Sequence, residues 1–460
     1  MSNKVVILGG GPGGYVAAIR LRQLGFETIL IEKNRVGGVC LNVGCIPTKA
    51  LYKSAEILNH ASHLESYGLD FDGIVKPNAH KIRGRKNQVV DTLVSGVEKL
   101  LSSAGVEVLY GEGKLLSSNS VSVNGDVIEF DKLIIATGSS SFIPPIAGVH
   151  HEGVVTSTEL LDFESIPDEL VIVGGGVIGM EFAGIFASFG SKVTVLEAMP
   201  NILPGIDGEI VKRLKPILKK KGIEIITSAM VQEISRDGQK LHVTMEGKKG
   251  PVIISGDQVL IATGRRPNTQ DLGLEEIGVE MNRKGIVVDD HFRTSQENIF
   301  AIGDVNGKWL LAHAASAQGE YVSEYLAGKN PKMGRFIPGC VFLFPEVASV
   351  GYTEEQLKEQ GIEYHVSKFM LGANGKALTM GEGEGLVKVI SDQNFKIIGV
   401  HIMGAHASDL IHEGLLACEM GLSVDELKHV IHAHPTLAEA FYESVMGLKG
   451  EAVHMVQSRR

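Results

Sequence analysis

A short apolar run that ends in a glycine-rich turn lies at the start of the chain: residues 5–14 read VVILGGGPGG. A continuous run of branched apolar residues is typical of a parallel strand that is buried on both faces. Residues 15–24 then have the pattern of a helix, which stops at Gly25. A second strand is predicted over residues 28–31 and ends at Glu32. This order of strand, turn, helix, strand and acid is typical of a dinucleotide-binding unit.

The same unit occurs a second time in the middle of the chain. Residues 171–179 read VIVGGGVIG, a helix is predicted as far as about Phe189, and the strand 192–196 ends at Glu197. The first glycine and the acid are 23 positions apart in both copies, from 9 to 32 and from 174 to 197. A lone glycine motif is weak evidence, whereas a strand, a helix and an acid in the correct order confirm its context. Two matched copies therefore predict two dinucleotide-binding folds in one chain.

Each copy has the spacing G-x-G-x-x-G, which suits a pyrophosphate. Its glycines allow a tight turn and close approach to the backbone, and the N-terminus of the following helix points at the phosphates. The terminal acid, Glu32 or Glu197, would accept hydrogen bonds from ribose hydroxyls. A 2′-phosphate would be repelled by Glu197, which favours NAD over NADP. The candidate phosphate-binding glycines are Gly9, Gly11, Gly14, Gly174, Gly176 and Gly179.

Two further echoes extend the repeat: LIIATG at residues 133–138 and VLIATG at residues 259–264. RRPN follows the second echo, and a later strand ends in AIGD at residues 301–304. Beyond about Lys332 the pattern changes to strands that look antiparallel, followed by a helix. The sequence thus predicts the α/β class, with two Rossmann-like dinucleotide-binding domains and a C-terminal α+β domain. The predicted boundaries are 1–142 for the first domain, 143–264 for the second, 265–332 for a central segment that completes the first, and 333–460 for the last.

Composition and charge limit the possible partners. The chain has 460 residues, of which 44% are hydrophobic, and a formal net charge of −10 at pH 7. Large buried cores are therefore expected, whereas a general nucleic-acid or anionic-membrane surface is not. The first residues enter a strand without a signal-peptide pattern, and no apolar run approaches the length of a membrane span. We therefore expect a cytoplasmic protein.

Cys40 and Cys45 lie in the segment CLNVGCIPTK. On a helical path, two residues five apart approach one another near one turn, and Pro47 comes too late to prevent this. Such a pair can close a small strained disulfide, which is generally catalytic when it is exposed. The alternatives are two buried thiols or half of a zinc site, but no second Cys/His pair at metal spacing is present, and Cys340 and Cys418 stand alone. We predict a redox-active pair and no metal.

The segment HAHPTLAE, residues 432–439, offers an acid–base group. A thiol–disulfide relay needs a base that takes the proton from an incoming dithiol, because the thiolate is the nucleophile. Histidine titrates near neutrality, and a carboxylate can orient its ring and stabilise its charged form. Pro435 is typical of the first turn of a helix, which would place Glu439 one turn further on.

The chain resembles the flavin-dependent pyridine nucleotide–disulfide oxidoreductases. The resemblance extends from end to end and rests on GGVCLNVGCIPTKAL, the two glycine motifs, the ATG, ATGRRPN and IGD segments, and HAHPTLAEA. It implies FAD in the first domain, NAD in the second and homodimerisation through the C-terminal domain. It also implies ping-pong oxidation of a dihydrolipoyl dithiol, which a lipoylated subunit of a 2-oxoacid dehydrogenase or glycine-cleavage complex would carry.

The resemblance also implies roles for residues at matching positions. Cys45 would face the flavin, and Cys40 would meet the substrate. His434 would be the base and Glu439 its partner, acting on the disulfide of the other subunit, while His432 is expected to be structural or to line a pocket. The implied cofactor-binding residues are Gly9, Gly11, Gly14, Glu32, Gly113, Asp304 and Ala312 for FAD, Lys49 paired with Glu181 beside the flavin ring, and Gly174, Gly176, Gly179, Glu197 and Gly264 for NAD. Without the resemblance, Glu181 would be interpreted as an ordinary carboxylate on a helix surface.

One segment departs from the family pattern. Phe342-Leu343-Phe344 stands where members often carry Tyr-Thr before Pro-Glu-Val. We expect this departure to alter packing in the dimerisation domain and to leave the redox centre untouched.

Two other functions are weighed against this interpretation. An NADPH-dependent reductase of another disulfide, such as glutathione, is disfavoured by Glu197, because an enzyme that uses NADP would carry an arginine there. A non-catalytic assembly subunit of a multienzyme complex is disfavoured because both the cysteine pair and the histidine–glutamate pair are intact.

Overall fold

The structure is a computed structural model in which residues 3–247 and 250–456 are described. The outer ends of the first and last predicted domains, residues 1–2 and 457–460, lie outside the described residues.

The first part of the chain forms strands of a parallel sheet, a small antiparallel sheet and four helices. Helix α1 begins earlier than predicted, because Gly11 lies at its N-cap and the fixed φ of Pro12 suits the first helical position. The strands are β1 (Lys4–Leu8), β2 (Glu27–Glu32), β3 (Glu107–Tyr110), β4 (Gly113–Ser117), β5 (Ser120–Val123), β6 (Asp126–Glu129), β7 (Lys132–Ile135) and β8 (Ser139–Ser141). The helices are α1 (Pro12–Gln23), α2 (Gly38–Val43), α3 (Cys45–Ala61) and α4 (Ala79–Ser103).

The middle of the chain repeats this organisation. Its strands are β9 (Val154–Val155), β10 (Glu169–Val173), β11 (Lys192–Glu197), β12 (Ile223–Thr227), β13 (Val231–Asp237), β14 (Lys240–Gly247), β15 (Gly250–Gly256), β16 (Gln258–Ile261) and β17 (Arg265–Pro267). Its helices are α5 (Ser157–Leu160), α6 (Val177–Phe189) and α7 (Gly208–Lys220).

The remaining elements include a third five-stranded sheet, which is antiparallel. The strands are β18 (Met281–Asn282), β19 (Gly285–Ile286), β20 (Ile299–Ala301), β21 (Gly339–Val341), β22 (Glu346–Gly351), β23 (His365–Met370), β24 (Leu386–Ser391) and β25 (Ile397–Gly404). The helices are α8 (Ala312–Leu326), α9 (Glu354–Glu359), α10 (Gly375–Thr379), α11 (Ala407–Met420), α12 (Val424–Leu427) and α13 (Glu439–Gly447). Single 3₁₀ turns occupy Leu64–Tyr67, Gly303–Asn306 and Leu371–Ala373.

The two five-stranded parallel sheets have matching centres. Their strand orders are β20-β7-β1-β2-β3 and β12-β11-β10-β16-β9. In each sheet, the strand before the glycines lies between the strand that ends in the acid and the strand of the ATG echo. The third five-stranded sheet, in the C-terminal part of the chain, is antiparallel and has the order β21-β22-β25-β24-β23. The predicted fold class is therefore confirmed: two Rossmann-like units and a C-terminal α+β domain.

A two-stranded antiparallel ribbon, β8 and β17, connects the two nucleotide units. Ser141 lies opposite Arg265 in its register. After this ribbon the chain returns to the first sheet, where β20 pairs with β7. The central segment thus contributes a strand to the first sheet, while the boundaries given above stay a prediction.

Helices α3 and α6 share one hydrophobic core. Leu51 and Tyr52 of α3 lie in the same buried cluster as Phe182 and Phe186 of α6. Because α6 is apolar almost all round, it is buried between its own sheet and α3. This packing places the cysteine-bearing helix against the second nucleotide unit. Among the described residues, no helix combines the length and apolarity needed to cross a bilayer.

Candidate active site

The first glycine of each motif makes a turn that only glycine fits. Gly9 has φ +103° and Gly174 has φ +115°. A Cβ atom at Gly9 would lie 2.4 Å from the carbonyl oxygen of Ala136, and one at Gly174 would lie 2.3 Å from that of Ala262. Each turn is therefore closed against the ATG segment of its own unit.

The second glycine of each motif leaves space for a ligand. Gly11 and Gly176 are the N-caps of α1 and α6, and neither helix has a side-chain cap. A Cβ atom at Gly176 would meet nothing within 4 Å, and one at Gly11 would meet only the Cα of Gly38, at 3.9 Å. Uncapped amides at an open helix N-terminus are what a phosphate group requires. Both cradles thus fit the pyrophosphate of a dinucleotide.

The two acids are held in the same way. The N–H groups of Gly10 and Asn34 donate to the two carboxylate oxygens of Glu32, at 2.7 and 2.8 Å. The equivalent amides of the second unit, at positions 175 and 199, donate to the two oxygens of Glu197, at 2.6 and 2.7 Å. Each carboxylate is therefore fixed beside its glycine turn and keeps lone pairs for ribose hydroxyls.

Asp304 belongs to a polar cluster that the sequence did not reveal. The Ser139 hydroxyl donates to Oδ2 of Asp304 at 2.5 Å and accepts from Nε of Arg265 at 2.7 Å. Burial lowers the pKa of Arg265, while the negative charges of Asp304 and Cys45 act in the opposite direction. Arg265 therefore lies within electrostatic reach of the cysteine pair. Only the ATG and RRPN segments pointed to this region beforehand.

Three further residues implied to contact cofactors are located by their elements. Gly113 begins β4, Ala312 begins α8, and Gly264 directly precedes β17. Since none of them has a side chain beyond Cβ, any contact that they make to a cofactor involves backbone or close approach.

The cysteines lie on two helices and not on one continuous helical path, so that prediction is wrong. Helix α2 ends at Val43, α3 begins at Cys45, and Gly44 between them has φ −143° and ψ −114°. A Cβ atom at Gly44 would lie 2.8 Å from the carbonyl oxygen of Val39, so a larger residue does not fit this sharp turn. The turn brings the two thiols together, and the Cys40 thiol hydrogen-bonds to Cys45.

The hydrogen bond between Cys40 and Cys45 shifts the pKa values of the two thiols in opposite directions. It lowers the pKa of Cys45 to about 7 against the opposing effect of partial desolvation by the surrounding protein, and the Lys49 ammonium adds to the lowering. The same bond raises the pKa of Cys40, with burial as a second cause. Near neutral pH, the negative charge of the reduced pair therefore resides on Cys45.

The alternatives for this pair are not supported. Cys45 is exposed and Cys40 is partly exposed, so they are not two buried structural thiols. Across residues 3–247 and 250–456, no group of three or more histidine, cysteine, aspartate or glutamate side chains is placed to hold a metal ion.

Helix α2, which carries Cys40, is also close to the first glycine motif. A Cβ atom at Gly38, the first residue of α2, would lie 2.7 Å from the Cα of Gly11. The helix that carries Cys40 therefore begins in direct contact with the first cradle.

Lys49 and Glu181 are brought together as an ion pair in which Glu181 is buried and Lys49 is partly exposed. Lys49 Nζ lies 2.7 and 2.9 Å from the two oxygens of Glu181, whose residue is only 4% exposed. Glu181 is thus not an ordinary helix-surface carboxylate. Because Lys49 is on α3 and Glu181 on α6, this pair links the two nucleotide units beside the cysteines.

The Phe342-Leu343-Phe344 segment contacts the redox centre, contrary to expectation. Lys49 Nζ lies 4.5 Å above the ring of Phe342, whose N–H donates to Glu181 at 3.1 Å. Tyr52 of α3 stacks on Phe344 at 4.5 Å between ring centroids and donates to the carbonyl of Leu343 at 3.0 Å. The reason is that the loop after β21 runs along α3, so the departure from the family pattern lies against the cysteine-bearing helix.

The histidine and its carboxylate are paired on the C-terminal domain. His434 Nδ1 lies 2.9 Å from Glu439, which also accepts the N–H of Thr436 at 2.8 Å. Burial tends to raise the pKa of Glu439, but these hydrogen bonds lower it below its ordinary value. The carboxylate therefore stays ionised and fixes the imidazole through Nδ1.

The helix predicted to include Pro435 begins later. Helix α13 starts at Glu439, and the preceding turn is held by local bonds, in which the Thr436 hydroxyl donates to the carbonyl of Ala433 and Asn374 donates to that of Thr436. Side-chain bonds to the backbone compete here with helix formation. The His434 side chain is 78% exposed, and within the described residues no hydrogen bond or ion pair joins it to either cysteine.

His432 is placed differently from His434. Its side chain is 9% exposed, Nε2 lies 2.7 Å from Glu413, and the ring centroid lies 5.2 Å from that of Tyr442. These contacts hold His432 within the C-terminal domain, which agrees with a structural role.

Comparison with known families identifies two matching regions. The family described as "Pyridine nucleotide-disulphide oxidoreductase" matches residues 3–319, and its dimerisation domain matches residues 337–445. Together these regions cover both nucleotide units and the antiparallel sheet.

Curated relatives and solved structures agree with this match. The chain is 41% identical to dihydrolipoyl dehydrogenase of Geobacillus stearothermophilus, over 99% of this chain and 98% of the relative. It is 40% identical to the mitochondrial dihydrolipoyl dehydrogenase of Pisum sativum, over 98% and 93%. The structure of LpdA from Mycobacterium tuberculosis superposes with a TM-score of 0.90 at 27% identity, over 97% and 99%. The HOCl-induced flavoprotein disulfide reductase RclA from Escherichia coli superposes with a TM-score of 0.87 at 32% identity, over 96% and 99%.

Proposed function

Because the chain belongs to the pyridine nucleotide–disulphide oxidoreductase family, we propose that it oxidises a protein-bound dihydrolipoyl dithiol to the disulfide and reduces NAD⁺. The observation that carries the proposal is the thiol pair, in which Cys45 has a pKa of about 7 beside the first cradle. Full-length relatives that are named dihydrolipoyl dehydrogenase support this substrate class.

The two cofactors of the family, FAD and NAD, fit the two cradles. Bound FAD would supply the two-electron redox chemistry that links the reduced thiol pair to NAD⁺. The residues proposed to hold FAD are Gly9, Gly11, Gly14, Glu32, Gly113, Asp304 and Ala312, with Lys49 and Glu181 beside its ring. Those proposed to hold NAD are Gly174, Gly176, Gly179, Glu197 and Gly264.

The first half of the reaction begins with proton transfer. Nε2 of His434 takes a proton from the incoming dithiol, since Nδ1 is occupied by Glu439. The resulting thiolate attacks Sγ of Cys40 in the oxidised pair, the Cys40–Cys45 bond breaks, and Cys45 leaves as a thiolate. Its low pKa makes Cys45 the better leaving group.

The second half releases the oxidised substrate. The remaining substrate thiol attacks the mixed disulfide and displaces Cys40. Cys40 takes up the proton of that substrate thiol and becomes a thiol itself. The substrate leaves as a cyclic disulfide that has lost two electrons, and the protein pair has gained them.

The match of residues 337–445 to the family's dimerisation domain supports a homodimer as the functional unit. We propose that His434 acts on the disulfide of the partner subunit, which accounts for its exposure and for the lack of bonds to its own cysteines. A lipoylated subunit of a 2-oxoacid dehydrogenase or glycine-cleavage complex is proposed as the partner, and the cytoplasm as the location. Copurification of a lipoylated protein from the native cell tests the partner.

The activity is tested with FAD-loaded protein, dihydrolipoamide and NAD⁺. NAD⁺ is expected to be reduced to NADH, whereas NADP⁺ is not expected to be reduced to NADPH, and the Cys40→Ser protein is the matched control. A loaded protein that forms no NADH from dihydrolipoamide would contradict the proposal. Reduction of a different disulfide with NADPH would instead favour the reductase alternative.

A further inference from the structure

A buried ion cluster connects the C-terminal sheet to the second nucleotide unit. Lys388, on β24, is fully buried, and its Nζ lies 2.8 Å from both oxygens of Asp207, which is also fully buried. Glu354 supplies a third oxygen at 2.5 Å. Because an unpaired buried charge is costly, the three groups hold each other in place.

Asp207 lies at the start of α7 and belongs to the second nucleotide unit. Its Oδ1 accepts the N–H of Glu209 at 3.1 Å and so caps the helix. The Glu354 N–H approaches its other oxygen at 3.4 Å, and Lys368 of β23 pairs with Glu209 at 2.8 Å. The start of α7 is therefore anchored to the C-terminal domain by several ion pairs, and in the pair of Asp207 and Lys388 both partners are fully buried.

A segment without helix or strand leads from the ribose-binding acid to this anchor. It comprises residues 198–206, between β11 and α7, and we call it the return segment. The N–H of Met199 donates to Glu197 at 2.7 Å, and that of Leu203 donates to the carbonyl of Gly175 at 2.8 Å. The return segment therefore holds both the acid and the glycine turn of the second cradle.

We infer that Lys388 is a positioning residue for pyridine-nucleotide binding. By fixing Asp207 it fixes the far end of the return segment, and this segment orients Glu197 and, through the carbonyl of Gly175, the glycine turn. The inference rests on the proposed assignment of NAD to the second unit. It places a determinant of nucleotide affinity on a strand of the dimerisation domain.

The first unit provides an internal comparison. Its corresponding segment has only five residues, 33–37, and the N–H of Gly37 donates to the carbonyl of Gly10 at 2.8 Å. It then enters α2 at once, so the helix itself fixes its end. The longer return segment of the second unit also ends at a helix, α7, but the N-cap of that helix, Asp207, is held by Lys388 from another domain.

The inference is tested with two variants and a matched control. Lys388→Met removes the charge, and Asp207→Asn keeps a helix cap while it weakens the ion pair. Lys86→Met is the control, because Lys86 is also buried and paired, at 3.0 Å with Asp162, but lies on α4, away from the return segment. Binding of NAD⁺ to the FAD-loaded dimer is measured by calorimetry, and hydrogen exchange of residues 198–207 by mass spectrometry.

Both cluster variants should weaken NAD⁺ binding about tenfold and accelerate exchange in the return segment. The control should leave affinity and exchange unchanged, even if its melting temperature falls. The inference is overturned if a folded cluster variant binds NAD⁺ as tightly as the natural protein, with unchanged exchange. If Lys388→Met does not fold, Asp207→Asn decides by the same two measurements. Absence of NAD⁺ binding by the unchanged protein would overturn the proposed function instead.

Discussion

The two nucleotide units have the same turn and the same acid geometry but different continuations. In both, the acid accepts two backbone N–H groups, and the following segment returns to the glycine turn through one hydrogen bond of 2.8 Å. In the first unit that segment runs directly into the helix of Cys40, whereas in the second it runs to Asp207 and its anchor in the C-terminal domain. The difference teaches that one cradle continues into the helix of the cysteine pair, whereas the other is connected to a different domain.

The largest effect is expected when either cysteine of the pair beside the first unit is replaced. Cys40→Ser and Cys45→Ser should each abolish dihydrolipoamide oxidation, because neither variant can form the disulfide that accepts electrons. Steady-state NADH formation measures the loss. NAD⁺ binding at the second unit should be unchanged, and a variant with substantial turnover would remove the cysteines from the mechanism.

A large effect is also expected outside both units, at His434. Loss of a positioned general base typically costs about 10²–10⁴-fold in rate. His434→Gln should reduce dihydrolipoamide turnover within that range, and Glu439→Gln should reduce it less, because Glu439 only orients and stabilises the ring. Retention of bound FAD and of NADH-to-dye electron transfer serves as the control.

Mixed dimers test whether His434 serves the partner subunit. Cys45→Ser and His434→Gln subunits, refolded together, should form heterodimers with one working site and about half of the normal activity per heterodimer. Heterodimers that mass spectrometry detects but that remain inactive would assign His434 to its own chain.

Replacing the acid of each unit by arginine tests the comparison of the two units directly. Glu197→Arg removes two acceptors of backbone N–H groups, so NAD⁺ affinity should fall by about 10–100-fold. The guanidinium should at the same time favour NADP⁺ over NAD⁺ relative to the unchanged protein. Glu32→Arg, the matched change in the first unit, should lower FAD retention and leave this preference alone. If both variants alter the same cofactor, the two units are not assigned correctly.

The smallest effect is expected at the Lys49–Glu181 ion pair, which joins the two units and acts on the pKa of Cys45. Since the folded pKa of Cys45 is about 7, its thiolate fraction should rise as pH increases through that value. Alkylation of the reduced protein, followed by mass spectrometry, should show half-maximal rate near this pH. Cys340, whose pKa burial raises to about 11, is the internal control and should react far more slowly.

Two substitutions at this contact should shift the Cys45 titration in opposite directions. Lys49→Met should raise the midpoint toward the usual thiol value of about 8.5, and Glu181→Gln should lower it, because the first charge stabilises the thiolate and the second opposes it. Equal midpoints in all three proteins would mean that the hydrogen bond from Cys40 alone sets the pKa.

Local spacing predicted the repeated units, because each unit depends on neighbours within some twenty-five residues. The cysteine pair was predicted for the same reason, yet the break at Gly44 was not, since nothing in the spacing reveals a sharp turn between two helices. The contact of Phe342 with Glu181 was missed because 161 positions separate them and only tertiary packing joins them. Arg265 was overlooked for a similar reason: its partners, Ser139 and Asp304, come from separate segments.

The ribbon formed by β8 and β17 makes the second unit a cassette within the first. The chain enters the cassette after Ser141 and leaves it at Arg265, and these two residues face each other in the ribbon. Insertions are tolerated best where entry and exit are neighbours, because the host keeps its own connectivity. A different pyridine-nucleotide module could therefore be grafted between these two points without rethreading the host sheet, provided that the graft restores the partners of Lys49 and Lys388.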